Sequence, residues 1–281
     1  DIINEWEMID SAGYSLPHPA DSIGSPTPPH HLFNINYLSK GHNTLHINNF
    51  DGYVHNEWSF NTKNADIVTL ALGLRANYWG YNGDVNISPR LGIAYKPSWN
   101  SDMLFRLSGG VYVQPPFYRE LRMFDGSLIS PEEASTQKSY QVVLTNEYNF
   151  KAWDRPFILT SEIYYKYLRD IVPYEVDNVR IRYYADQRAT GYAAGIDLRI
   201  NGEFVKGIES WASLSLMKTA ENIKYYIGPN GNILSQTDVN NGADYVNDTI
   251  IKGIPRPSDQ RACVSVFFQD YIPFIPSFRV N

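Results

Sequence analysis

Residues 191–218, GYAAGIDLRINGEFVKGIESWASLSLMK, contain two runs of alternating side chains joined by a short link. In the first run Ala194, Ile196, Leu198 and Ile200 interleave with Gly195, Asp197, Arg199 and Asn201. In the second, Ala212, Leu214 and Leu216 interleave with Ser213 and Ser215. A repeat of two describes a strand with one apolar and one polar face. Phe204 closes one strand, Lys206, Gly207, Ile208 and Glu209 turn, and Trp211 opens the next, which makes a hairpin. Two environments produce this pattern. A soluble sheet packs its apolar face on a core. A membrane barrel turns that face to lipid and lines its lumen with the polar one.

The rest of the chain repeats the theme. Strands are predicted over residues 2–14, 43–61, 67–79, 88–96, 103–113, 138–150, 156–170 and 259–271. Leu70, Leu72 and Leu74 oppose Gly73, Arg75 and Asn77, and Leu91, Ile93 and Tyr95 oppose Arg90, Gly92 and Lys96. Phe105, Leu107, Val111 and Val113 oppose Arg106, Ser108 and Tyr112, and Val264, Val266 and Phe268 oppose Arg261, Cys263 and Ser265. Long loops are expected at 15–38, 114–137 and 225–257, with a basic, tyrosine-rich excursion at 172–188. Brief turns are expected at 62–66, 97–102, 151–155, 206–209 and 273–276.

Brief and long connections therefore alternate. Aromatics crowd the brief ends: Trp58, Phe60, Trp99, Phe150, Trp153, Phe204, Trp211 and Phe274. Short turns on one side, long loops on the other and aromatic girdles are the build of a transmembrane β-barrel. The polar faces carry Arg75, Arg106, Glu147, Asp197 and Arg199, which a dry core rejects unless they are paired and a wet lumen accepts. The runs also exceed the roughly 5–6 residues of soluble strands and fit the roughly 9–11 of a tilted spanning strand. No fixed repeat period marks a solenoid. The competing class is a soluble or surface-exposed all-β binding protein such as an adhesin.

Composition narrows the field. Of 281 residues 19% are charged, with net charge −6, so there is no basic footprint for nucleic acid. The 21 Tyr, 6 Trp and 13 Phe suit strands and membrane interfaces alike. The single Cys263 excludes an internal disulfide and a Cys-rich metal site. The most apolar run, IVTLALGL at 67–74, is far shorter than the roughly 20 residues of a spanning helix. Asp1 follows no basic-then-apolar leader, and residues 278–281 read as the start of an unfinished strand, so a fragment of a mature chain is expected.

SPRLGIAYKP followed by FRLSGGVYVQPPFYREL resembles the mid-barrel hairpin of TonB-dependent outer-membrane receptors. RPFILTSEIYYKYLRDIVPYEVDNVRIRYY, residues 191–218 and RPSDQRACVSVFFQDYIP resemble the later barrel of the Bacteroidetes branch of that family. The resemblance spans nearly the whole chain and rests on strand and turn phrases, so it is uninformative about the ligand. It implies a barrel of roughly 22 strands in the outer membrane of a Gram-negative bacterium, closed by an N-terminal plug. It also implies contact with outer-membrane lipid, energy from a TonB-type coupling complex acting through the plug region, and a surface lipoprotein as a further partner. Neither plug nor coupling segment is read here, and the strand count is roughly ten, about half of such a barrel. The expectation for residues 1–281 is thus a partial barrel domain without the plug and final strands. Its cargo would be a scarce ligand: a siderophore, haem, a cobalamin-type cofactor, a glycan or a peptide.

Two loop clusters are candidate ligand contacts. Tyr118, Arg119, Glu120 and Arg122 follow Pro115-Pro116-Phe117, a stretch that the resemblance puts at the extracellular mouth. Arginine beside tyrosine suits gripping a carboxylate or phosphate. Arg182, Tyr184 and Arg188, with Arg180 and Tyr183, form the second cluster, read as lumen lining or loop packing. His18, His30 and His31 share a loop with Asp21 but fit no ligand spacing, and His42, His46 and His55 read as lumen-facing polar residues. Asp238, Asp244 and Asp248 lack the spacing and closing Glu of a calcium loop. No nucleophile elbow, His-Glu-x-x-His or phosphate loop is present, so neither enzyme activity nor a cofactor or metal is expected.

Overall fold

A computed structural model describes residues 2–12, 34–177, 180–234, 239, 242–272 and 275–280, with side chains described from 41 to 270 apart from 177–180, 233, 235–238 and 240–241. The strands are β1 (Ile2–Ala12), β2 (Asn34–Leu45), β3 (Asn49–Asn61), β4 (Ile67–Trp79), β5 (Asp84–Lys96) and β6 (Asp102–Gln114). They continue with β7 (Gln137–Ala152), β8 (Arg155–Ile171), β9 (Tyr174–Asp177), β10 (Arg180–Tyr183), β11 (Ala189–Val205) and β12 (Ile208–Ile227). The last are β13 (Ile233–Leu234), β14 (Asn247–Pro255), β15 (Ala262–Phe267), β16 (Asp270–Ile272) and β17 (Ile275–Val280). The protein is all-β and its pairings are antiparallel. One 11-stranded sheet runs β13-β12-β11-β8-β7-β6-β5-β4-β3, with β14 and β15 also on β12, and it is open rather than closed on itself. β1 with β2, β9 with β10 and β16 with β17 form separate pairs.

The register turns the sequence alternation into two faces. One line of directly paired residues crosses the sheet as Trp58, Leu70, Ile93, Leu107, Leu144, Ile163, Ile196, Leu216 and Ala262. One residue along, the line reads Ser59, Thr69, Ala94, Arg106, Thr145, Glu162, Asp197, Ser215 and Cys263. Because side chains alternate, the first line lies on one face and the second, polar but for Ala94 and Cys263, on the other. Among the described residues nothing covers the apolar face: Leu72 is 43%, Leu144 46% and Ile196 45% exposed. The polar face is tied internally, with Arg106 donating to Glu147 at 3.0 Å, Ser215 bonded to Asp197, and Arg75 on Asp51 at 2.6 Å.

Two aromatic belts flank the apolar band on its own face. At the short-turn end Phe150 meets Tyr148 at 5.1 Å and Phe157 at 5.7 Å, Phe204 meets Phe157 at 5.1 Å, and Trp99 meets Phe105 at 6.1 Å. At the other end Tyr140 meets Tyr167 at 6.1 Å and Tyr165 meets Tyr192 at 6.4 Å. Along β7 the belts begin at Tyr140 and reach Phe150, ten residues or about 34 Å of strand, which is about 26 Å of thickness at a tilt of about 40°. The turns that make this end compact are built from short-range chemistry. Trp153 and Asp154, both at positive φ (54° and 58°), form a two-residue hairpin turn that follows the twist of the strands. Glu203 accepts from the Gly207 amide at 3.0 Å in the turn before β12.

Several elements depart from the sequence expectation. The single strand expected over 43–61 is two, β2 and β3, broken at residues 46–48. The loop expected over 225–257 begins later, because β12 runs to Ile227, and β14 lies inside it. β14 and β15 both run along β12 and are interrupted at 256–261, where the Asp259 carboxylate accepts from the Thr219 amide at 2.7 Å in place of a ladder bond. Trp211 leaves the girdle: it shares the parity of Ser213 and Ser215, stacks on Phe267 at 6.2 Å and holds Arg199 over its ring at 4.7 Å. The expected loop over residues 15–38 lies mostly, and His18, Asp21, His30, His31, Asp238 and Phe274 lie entirely, outside the residues described.

Candidate functional site

The long connections gather at the end of the sheet opposite the tight turns. Residues 115–136 fold back over the β4–β5 turn and bury a small core of Trp79, Leu121, Ile129 and Ala134. Polar groups fasten this cap. The Tyr81 hydroxyl donates to the Ile129 carbonyl, Asn82 to the Ala134 carbonyl at 2.8 Å, and Thr136 to Asn86 at 2.8 Å. Burial pushes the Tyr81 phenol up, and the Glu132 carboxylate adds to the effect.

The first predicted cluster sits on this cap in the 3-10 turn Tyr118–Leu121. Glu120 is buried and faces its own loop: its carboxylate accepts from the Phe117 amide and from Gln137, each at 2.8 Å. Asn43 donates to the Tyr118 hydroxyl at 3.3 Å and to the Gly126 carbonyl at 2.9 Å, tying β2 to the cap. Arg122 is half-buried beside Tyr118, and burial holds its guanidinium below the usual range. Arg119 is exposed.

The second cluster joins the first. Arg188 donates to the carbonyls of Ala185 and Gln187, each at 2.7 Å, and to that of Glu133 at 3.1 Å, so it clamps 185–187 to the cap. Burial lowers its pKa, opposed by the charges of Asp170, Asp186, Glu133 and Glu120. Tyr184 packs edge-on against Phe124 at 5.2 Å, a second link between the two loops. Burial raises its phenol, helped by a hydrogen bond to Glu175. Arg182 lies 3.9 Å from Glu175 across the β9–β10 hairpin. The two clusters are therefore one place, but Glu120, through the Phe117 amide and the Gln137 side chain, and Arg188, through three carbonyls, hold the loops together.

Beside them lies a cleft of about 780 Å³ between Pro173–Val176, Tyr184, Gln187 and the outer parts of β12 and β14. Tyr174, Tyr184 and Tyr225 line it with Ile223, Ile254 and the prolines 173, 255 and 257. Glu221 forms part of its wall at 4% exposure, 3.5 Å from the Arg256 guanidinium. Sequence reasoning missed Tyr174, Tyr225, Glu221 and Arg256. The only local signal was Ile254-Pro255-Arg256-Pro257, a rigid segment inside what reads as loop. Among the described residues no group of three or more His, Cys, Asp or Glu could hold a metal ion. No protein-family model, curated protein or solved structure matches this chain.

Proposed function

We propose that this chain forms part of the wall of an outer-membrane β-barrel transporter of the TonB-dependent receptor type, and that its long-loop end captures a scarce ligand. The observation that carries the reading is the uncovered apolar line from Trp58 to Ala262, set between two belts of aromatic rings. Water rejects a continuous apolar face of this width. Hydrocarbon accepts it, and belts about 26 Å apart match a band about 25 Å tall. The opposite face, with Arg106, Glu162 and Asp197, suits a wet or plugged lumen. β12 continues past the upper belt to Ile227, as strands do that raise loops above a bilayer. In this reading a coupling complex in the inner membrane supplies the energy that releases the ligand inward.

The rival is a soluble or surface-exposed all-β binding protein, and fractionation separates the two. A barrel stays with the envelope until detergent is added and migrates differently on gels before and after boiling. Recovery of the native full-length protein in the soluble fraction defeats the transporter reading.

A further inference from the structure

The rows of the sheet continue past the upper tyrosine belt, and on the apolar face the next row is charged. Tyr140, Tyr167 and Tyr192 are directly paired across β7, β8 and β11. Two residues further along the strands the same face carries Lys138 and Arg169, opposite each other, with Val113 beside Lys138 on β6. Like charges set directly opposite destabilise a sheet, and an anion between them removes the penalty. Among the described residues Lys138 makes no ion pair, and Arg169 meets only its chain neighbour Asp170, at 3.5 Å. Asp170 stands at φ 56° where the β8–β11 register shifts, a strained bulge that leaves Arg169 with no directly paired residue on β11.

Below the cations the same face is indented. The β5–β6 ladder ends at Arg90 and Gly110, although β5 runs on beside β4 and β6 beside β7. Pro89 has no amide to continue that ladder. Gly109, paired with Leu91 and Val142, has no side chain to fill the space. The result is a trough of about 550 Å³ lined mainly by Val54, Leu72, Leu74, Leu91 and Val111 around Gly109. Along β6 the descent is regular: Val113 pairs with Lys138, Val111 with Tyr140 and Gly109 with Val142. The trough therefore begins level with the tyrosines and extends toward the middle of the apolar band. The two cations stand about 7 Å of strand above the tyrosines, about 5 Å of height at a tilt of about 40°. The interfacial layer on each side of a bilayer is about 5–7 Å deep.

We infer that this face holds one lipid with an anionic phosphate headgroup, its phosphate between Lys138 and Arg169 and an acyl chain in the Gly109 trough. The inference rests on the membrane reading of the apolar face and names a bound molecule that is not cargo. Lysine and arginine both take phosphate, one as a point charge and the other as a fork. A soluble anion needs no trough and a bare hydrocarbon chain needs no cations, whereas a phosphate-bearing lipid uses both.

The test is native mass spectrometry of the full-length protein in detergent, titrated with equal amounts of dioleoyl phosphatidylglycerol and dioleoyl phosphatidylcholine. Wild type retains the anionic lipid about tenfold better than the zwitterionic one. Lys138→Gln combined with Arg169→Gln abolishes that preference, whereas Lys166→Gln, on the opposite face of β8, keeps it. Gly109→Leu fills the trough, so it lowers retention of both lipids and leaves the preference between them. Gel mobility before and after boiling verifies that each variant is folded. Equal retention of the two lipids by wild type, a preference that survives the double variant, or displacement of the lipid by millimolar inorganic phosphate overturns the inference. A protein that fractionates with the envelope but shows no preference keeps the membrane reading and loses only the lipid site. Recovery of the native protein in the soluble fraction removes both.

Discussion

Replacing Leu144 by arginine separates lipid from water as the solvent of the apolar face. Leu144 sits four residues from Tyr140 and six from Phe150, so it lies near the middle of the span between the belts, about 14 Å of strand from one and about 20 Å from the other. It is 46% exposed and pairs with Leu107 and Ile163. In a bilayer this is the deepest position, where an arginine costs about 2–4 kcal/mol, against about 0–1 kcal/mol near the interfaces. In water the same exposed position tolerates the change within about 0.5 kcal/mol. The assay is urea titration of the full-length protein folded into liposomes, comparing Leu144→Arg with Tyr140→Arg and with Thr145→Arg on the opposite face. The reasoning requires Leu144→Arg to be costliest, by at least about 2 kcal/mol over Thr145→Arg. A Leu144→Arg midpoint indistinguishable from wild type, or a larger loss at Thr145, refutes it.

Gly202→Ala puts a methyl 2.2 Å from a ring carbon of Phe157, so the ring must leave its place over the glycine. That overpacking lowers stability by about 1–3 kcal/mol in the same titration, and Phe157→Leu relieves part of the loss. Arg188→Ala frees the Ala185, Gln187 and Glu133 carbonyls from the clamp. Hydrogen exchange then rises in both 115–136 and 172–188 while the strands keep their protection, and Arg188→Lys, which lacks the forked donors, does not restore it. Asp125 is held below its ordinary value first by the Ser127 hydroxyl and then by the Ser127 amide. A depressed carboxyl contributes its stability above its unfolded value near 3.9 and loses it as pH falls through the lower folded value. The cap around 123–127 therefore loosens only in that acid window, and Asp125→Asn removes the pH dependence of exchange there.

The sheet was legible in the sequence because each long strand separates apolar from polar side chains by parity, as Ile196 against Asp197 and Leu144 against Thr145 do. The same logic explains the failures. At the long-loop end β12 carries buried Ile223 beside half-exposed Lys224, which pairs with Asp248 at 2.6 Å, and on β14 the neighbours Ile250 and Ile251 are both exposed, so the contrast that marks a strand disappears. Residues 225–257 then read as loop. The break between β2 and β3 was hidden by a polar composition uniform on both sides of it. Trp211 was counted in the girdle by its nearness to a turn, although its parity with Ser213 already put it on the polar face. In the candidate site, arginine beside tyrosine drew attention to both loops, and the loops do meet. What sequence could not reveal was that Arg188 and Glu120 turn back onto carbonyl and amide groups. Nor could it reveal that Glu221 and Arg256, 35 positions apart, come within 3.5 Å through pairing of β12 with β14.

The solvent on each face is most directly measured by nitroxide labels placed singly along residues 140–148 of β7, with Cys263→Ser as background and the protein in bilayers. Collision rates with oxygen, which concentrates in hydrocarbon, and with a water-soluble nickel complex are then compared. The account predicts a period of two: oxygen-rich, nickel-poor labels at 142, 144 and 146, and the reverse at 143 and 145. Nickel access at 144 equal to that at 145 would mean that water wets both faces, and the proposed barrel would not stand.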